Sequence, residues 1–119
     1  MIKETQVCDV ITNEIPQMAI DLSMIKDNDS VCKTIACFAD YTKDLIREHN
    51  VNEAIHCFRT ANNLMKEGTA AVQNSIVNVY VSSISRLVEC SQTVEEIVRM
   101  QFLKIFGKEY YKLIYAQNP

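Results

Sequence analysis

The sequence predicts an all-α fold: a bundle of about five helices running mostly up and down, with residues 69–89 as its central helix. Three observations lead there. Apolar residues recur at spacings of three and four along most of the chain, the rhythm of one helix face. Only two glycines and two prolines occur in 119 residues, too few for the many turns of an all-β sandwich. The segment 69–89 holds no glycine, proline or turn cluster, whereas a typical strand lasts about 5–6 residues. Length predicts a single helical domain spanning 1–119, and a 48% hydrophobic, 23% charged composition argues against disorder.

The first rhythm, Val7, Cys8, Ile11 and Ile15, is helical and stops at Pro16, because proline disfavours helix at the residue before it. Between Gln17 and Asn28, Met18, Leu22 and Ile25 suit either a short helix or an anchored loop. The run Asp27-Asn28-Asp29-Ser30 is a start signal, since short polar side chains accept bonds from the first free amides of a helix. Val31, Ile35, Phe38, Thr42, Leu45 and Ile46 then share about one third of a 3.6-residue wheel, which predicts an amphipathic helix to about Glu48.

Asn52 is the expected cap of the next helix. Its inner face is Ala54, Ile55, Phe58, Ala61 and Met65, with Cys57 and Leu64 along the edge. Gly68 is expected to end it in the left-handed conformation, and Thr69 to cap the helix after it. That almost absent linker predicts antiparallel neighbours. In 69–89, Val72, Ile76, Val79, Tyr80, Ser83 and Leu87 form one stripe, with Val77, Val81, Ile84 and Val88 beside it. Such a broad apolar face predicts packing on more than one side. Thr93 through Glu96 fits a capping box, and Val94, Ile97, Val98, Phe102 and Ile105 are the expected inner face of the last helix. Gly107 is expected to interrupt that helix, with Tyr110, Tyr111, Leu113, Ile114 and Tyr115 docking the tail.

The net charge of −3 is unevenly spread: residues 1–50 carry five Lys/Arg against nine Asp/Glu, residues 51–119 seven against six. This falls short of the basic footprint of a nucleic-acid binder, so nucleic acid is not an expected partner. Lys104, Lys108 and Lys112 would line one helix edge if the helix ran through Gly107, most simply as a solvated face. Five scattered cysteines without a Cys-x-x-Cys pair, and no apolar run after Lys3 and Glu4, predict reduced thiols and a cytoplasmic location. The uncharged stretch after Gly68 is too rich in Asn, Gln and Ser for a bilayer span, so no membrane span is expected.

Three stretches, VCDVITNEIPQM, ANNLMKEGTAAVQNSIVNVYVSSI and IFGKEYYKL, occur in an order that resembles a family of small all-helical bacterial proteins of unknown function. The matching features are Pro16, then Gly68 with Val72, Asn74 and Ile76, then Gly107 with Tyr110 and Tyr111. The resemblance implies a helical intracellular bacterial protein and carries over no catalytic or ligand residue. Small proteins of this build can serve as immunity proteins, an association by fold alone.

No catalytic, cofactor or metal residue is expected. Gly-rich phosphate loops and nucleophile-elbow motifs are missing from the sequence. Glu53-x-x-His56 has the spacing of a di-metal carboxylate site, but such sites need a second copy, which His49 does not provide. His56 is expected to face solvent. Cys57, one residue on, points about 100° away. A small metal- or thiol-dependent activity around Glu53, His56 and Cys57 is therefore the alternative. The favoured expectation is a non-catalytic module that binds another protein, with homo-oligomerisation left open. Its candidate surface is the uncharged polar strip Asn74, Asn78, Ser82 and Ser85, since interface centres are poor in charge. The competing reading of that strip is that another helix or the tail covers it.

Overall fold

The apolar rhythm of the first half folds into three helices, α1 (Val7–Glu14), α2 (Ala19–Ser23) and α3 (Val31–Arg47), with a 3-10 turn, Pro16–Met18, between the first two. The computed structural model describes residues 1–25 and 30–117. It is all-helical, with no strand among the described residues. Met18 and Leu22 are buried, so the ambiguous segment after Pro16 is a short helix. Asp27, Asn28 and Asp29 of the expected start signal lie outside the described residues. Ser30 occupies the N-cap position of α3 without a side-chain capping bond.

The stripe of α3 packs as its spacing requires: Ile35, Phe38, Thr42, Leu45 and Ile46 are all buried. α3 ends in a Schellman turn. The Asn50 amide donates to the Leu45 carbonyl at 2.9 Å and the His49 amide to the Ile46 carbonyl at 3.1 Å. The left-handed residue this turn needs is His49, at φ 63°. α4 (Val51–Glu67) follows at once, with Asn50 as its cap position in place of Asn52.

Gly68 departs from expectation. It is extended, at φ −84° and ψ 162°, and terminates α4 by close approach instead of by a left-handed turn. A Cβ on Gly68 would sit 2.4 Å from the Leu64 carbonyl oxygen and 2.5 Å from Val72 Cγ1. The extended backbone pairs with the start of the chain: the Ile2 amide donates to the Glu67 carbonyl at 2.6 Å and the Thr69 amide to the Ile2 carbonyl at 2.9 Å. Thr69 caps the next helix as expected, its hydroxyl accepting from the Val72 amide at 3.4 Å.

That helix is α5 (Ala70–Ser75), a π-helical segment (Ile76–Val81) and α6 (Ser82–Cys90) in unbroken succession. The π-segment touches α3, α4 and the last helix. Its wider winding moves the buried stripe by about one residue. Past Ile76 the buried positions are Tyr80, Val81, Ile84, Ser85 and Val88, while Val79, Ser83 and Leu87 stay half-buried. Tyr80 is fully buried, its ring 4.8 Å from Phe38 and 6.1 Å from Phe106. Burying each such side chain contributes about 1.5–3 kcal/mol.

α7 (Glu96–Gln117) runs straight through Gly107, correcting the expected interruption. Glu95 starts it in place of Thr93, its carbonyl accepting from the Val98 and Arg99 amides at 3.1 Å each. Arg99 fixes that geometry by reaching back to the Val88 and Ser91 carbonyls, at 2.8 and 3.1 Å, which closes the end of α6. The buried face of α7 is Val98, Phe102 and Phe106. Ile97, expected inside, is 46% exposed.

Candidate functional site

Glu53, His56 and Cys57, adjacent on α4, all line one cleft of about 310 Å³. α1 and its following turn contribute Glu14 and Ile15 to it, and α3 contributes Tyr41 and Leu45. The His56 side chain is 45% exposed, in keeping with a solvent-facing position, but its ring is also engaged. Its Nε2 lies 2.9 Å from the Glu14 carbonyl oxygen and 3.8 Å from a Glu14 carboxylate oxygen. A carbonyl can only accept, so this nitrogen carries the proton and satisfies a free carbonyl at the end of α1.

Cys57 is buried, and burial pushes its thiol up to about 11. The thiolate is the nucleophilic form, so Cys57 is a poor nucleophile near neutral pH. Among the described residues no group of three or more His, Cys, Asp or Glu side chains is placed to hold a metal ion. The cleft has room for a small molecule, and the thiol beside it is held in its protonated form by burial.

The polar strip on 69–89 divides. Asn74 and Asn78 are exposed and Ser82 is half-buried. Ser85 is 7% exposed and donates to the Ser82 carbonyl at 2.8 Å. The strip therefore begins at the surface and ends between α6 and α7.

Ser85 opens onto a groove of about 420 Å³ between those helices, lined also by Val88, Phe102, Leu103, Tyr110 and Ile114. Beside it lies the outer face of α7. Ile97 (46% exposed), Met100 (57%), Leu103 (41%), Tyr111 (55%) and Tyr115 (73%) all meet solvent. At ~100° per residue they fall within about one third of the helix circumference, opposite Val98, Phe102 and Phe106. α7 is thus apolar on two faces, and only one is covered by the described residues. Gly107 sits within the exposed stripe, and a Cβ placed there would meet nothing within 4 Å. Lys104, Lys108 and Lys112 form one edge of the stripe; all are exposed, and none makes an ion pair among the described residues.

This outer face departs from expectation at Ile97, expected in the core, and at Tyr111 and Tyr115, expected in a docked tail; Tyr110 and Leu113 of that tail do pack against the core. The signal was present: apolar residues of 97–115 occupy both sides of the wheel, more than one buried face requires.

Among the described residues, no helix is long and apolar enough to cross a membrane. Residues 8–118 match the model of a family described as "Domain of unknown function (DUF7674)". No curated protein and no solved structure matches the chain.

Proposed function

The chain belongs to the DUF7674 family, and from that premise we propose that it is a non-catalytic protein-interaction module of the bacterial cytoplasm, built on a mostly up-and-down bundle. One observation carries this reading: the outer face of α7 leaves Ile97, Met100, Leu103, Tyr111 and Tyr115 exposed on a long helix beside a groove. Contiguous apolar surface costs solubility, and where it persists it commonly marks a binding site. An immunity-type role, masking another protein by shape and charge, is one form such a module takes. The polar strip Asn74 and Asn78 is the second candidate contact, since both side chains are exposed.

Affinity capture from source-cell lysate tests the reading, using wild type, Leu103→Glu and Asn78→Arg, each checked for native circular dichroism. A protein retained by wild type and lost with folded Leu103→Glu supports the α7 face. Loss only with Asn78→Arg moves the surface to the strip. Retention unaffected by either contradicts both.

The cleft at Glu53, His56 and Cys57 supports the alternative of metal- or thiol-dependent activity less well, because its thiol is buried and its histidine is engaged with α1. Metal content of protein purified without added metal, together with thiol labelling of the folded state, decides that reading.

A further inference from the structure

We infer that the occupant of the α7 face is an acidic amphipathic helix of another protein, with one apolar side chain in the α6–α7 groove and carboxylates against Lys104, Lys108 and Lys112. This rests on the preceding reading of α7 as an interaction surface and names the chemistry of its partner.

Charge is the first argument. The three lysines follow one another at four-residue intervals along one edge of the apolar stripe, exposed and without ion pairs among the described residues. The acidic side chains nearby stand away from that lysine edge. Glu96, paired with Arg99 at 3.6 Å, lies on the groove side of the stripe, Glu89 lines the groove itself, and Glu109 lies on the half-buried side of α7. The complement of this surface is an apolar stripe with Asp and Glu along the one edge that meets the lysines, a form of helix-in-groove ligand.

Gly107 is the second argument. A glycine inside a helix costs about 1 kcal/mol relative to alanine. Here nothing in the chain requires it: no described glycine has a positive φ, and a Cβ would stand in open space. Midway along an exposed apolar stripe, the missing side chain lets a second helix backbone come close. The groove beside it, floored by Val88 and Phe102, has room for one anchoring side chain.

Two other occupants fit less well. An antiparallel second copy related by a two-fold axis would set lysine edge against lysine edge. An anionic membrane would use the lysines and the apolar stripe but not a defined groove, and the chain as a whole carries a net charge of −3.

The test uses a designed helical peptide bearing Leu on one stripe and Glu along one edge of it, and a second peptide in which every Glu is Lys. Binding is followed by amide chemical shifts of the full chain. The expected result is binding of the Glu peptide only, with shifts centred on Met100, Gly107 and Tyr111. That binding should weaken at least about tenfold with Gly107→Leu, with the triple change K104E, K108E and K112E, and at high salt. Equal binding of both peptides, no binding of the Glu peptide, lysine-dependent binding to phosphatidylserine vesicles, or self-association through α7 would each overturn the inference. The lysate capture separates the two levels. Loss with Leu103→Glu but not with the triple lysine change leaves the interaction surface standing and removes the acidic helix. Insensitivity to Leu103→Glu removes the surface itself.

Discussion

The Tyr80 hydroxyl lies 2.9 Å from Thr42 Oγ1, and both groups are fully buried. Thr42 also donates its only proton to the Phe38 carbonyl at 3.0 Å, so in this pair Tyr80 is the donor. The bond ties the π-helical segment to the middle of α3. Burial pushes the Tyr80 phenol well above its ordinary range, so it stays a neutral donor.

That polarity predicts an asymmetry. Tyr80→Phe removes a donor and leaves Thr42 still bonded to Phe38, at a cost of about 1 kcal/mol. Thr42→Val leaves the Tyr80 hydroxyl buried without an acceptor and should cost more, about 1–3 kcal/mol. Urea denaturation of both variants checks the order. Equal losses, or the reverse order, would contradict the assigned donor.

The two glycines should respond to alanine with opposite signs. Gly107→Ala should stabilise by about 0.5–1 kcal/mol, because helix propensity improves and nothing is touched. Gly68→Ala should destabilise, since its Cβ would lie 2.4 Å from the Leu64 carbonyl oxygen. Thermal melts of the two variants decide this, and a destabilising Gly107→Ala would mean that glycine has an internal role.

Acid should weaken one link between loops. His49 Nδ1 bonds Glu95 Oε1, holding the Glu95 carboxyl below the usual range, while Glu95 Oε2 is buried without a partner. A carboxyl with a lowered folded-state value contributes stability that is fully present above its unfolded value, about 4.3, and is lost as pH falls through the folded one. Wild type should therefore exceed Glu95→Gln in urea midpoint near neutral pH, with the gap closing below about pH 4. A gap that persists unchanged into acid would show that the carboxylate is not what Glu95 contributes.

The cysteines should separate by reactivity. Cys32 and Cys90 are exposed, while Cys57 is buried and pushed up to about 11. Brief iodoacetamide treatment at neutral pH, read by mass spectrometry, should modify Cys32 and Cys90 and spare Cys57 until the protein is unfolded. Rapid labelling of Cys57 in the folded state would revive the thiol reading of its cleft.

The polar strip should split as its burial does. Asn78→Arg, at an exposed position, should change stability by no more than about 0.5 kcal/mol. Ser85→Arg, at 7% exposure between α6 and α7, should destabilise well beyond that. Similar effects from the two would mean that the strip lies on one surface after all.

α3 and α4 were legible because each buries a single face. The 3.6-residue rhythm alone picks out Ile35, Phe38 and Thr42, or Ala54, Phe58 and Ala61, all of which are buried. Residues 69–90 were legible as a helix with a broad inner face, of which Val72, Ile76, Tyr80, Val81, Ile84 and Val88 are buried; the π-segment, which has no strong signature, is why Val79, Ser83 and Leu87 of the first stripe stay half-buried. Turn chemistry misled in both directions. The left-handed position fell to His49, where a backbone motif outweighs residue preference, and Gly68 serves a close contact with Leu64 and Val72 that only the folded chain shows. Of the candidate residues, Asn74 and Asn78 are at the surface and Ser85 is not. Spacing could not show this, because which side α7 covers depends on how Arg99 turns the chain after α6.

If the outer face of α7 is where another protein binds, a probe within that face should capture the partner. Photo-crosslinking reads this out, with a benzoylphenylalanine replacing Tyr111, an aromatic residue 55% exposed on α7, or, as a control, Asn13, exposed on α1. After irradiation in source cells, one discrete crosslinked protein is expected from position 111 and none from position 13. No adduct at 111, or the same adducts from both positions, would contradict an interaction surface on α7.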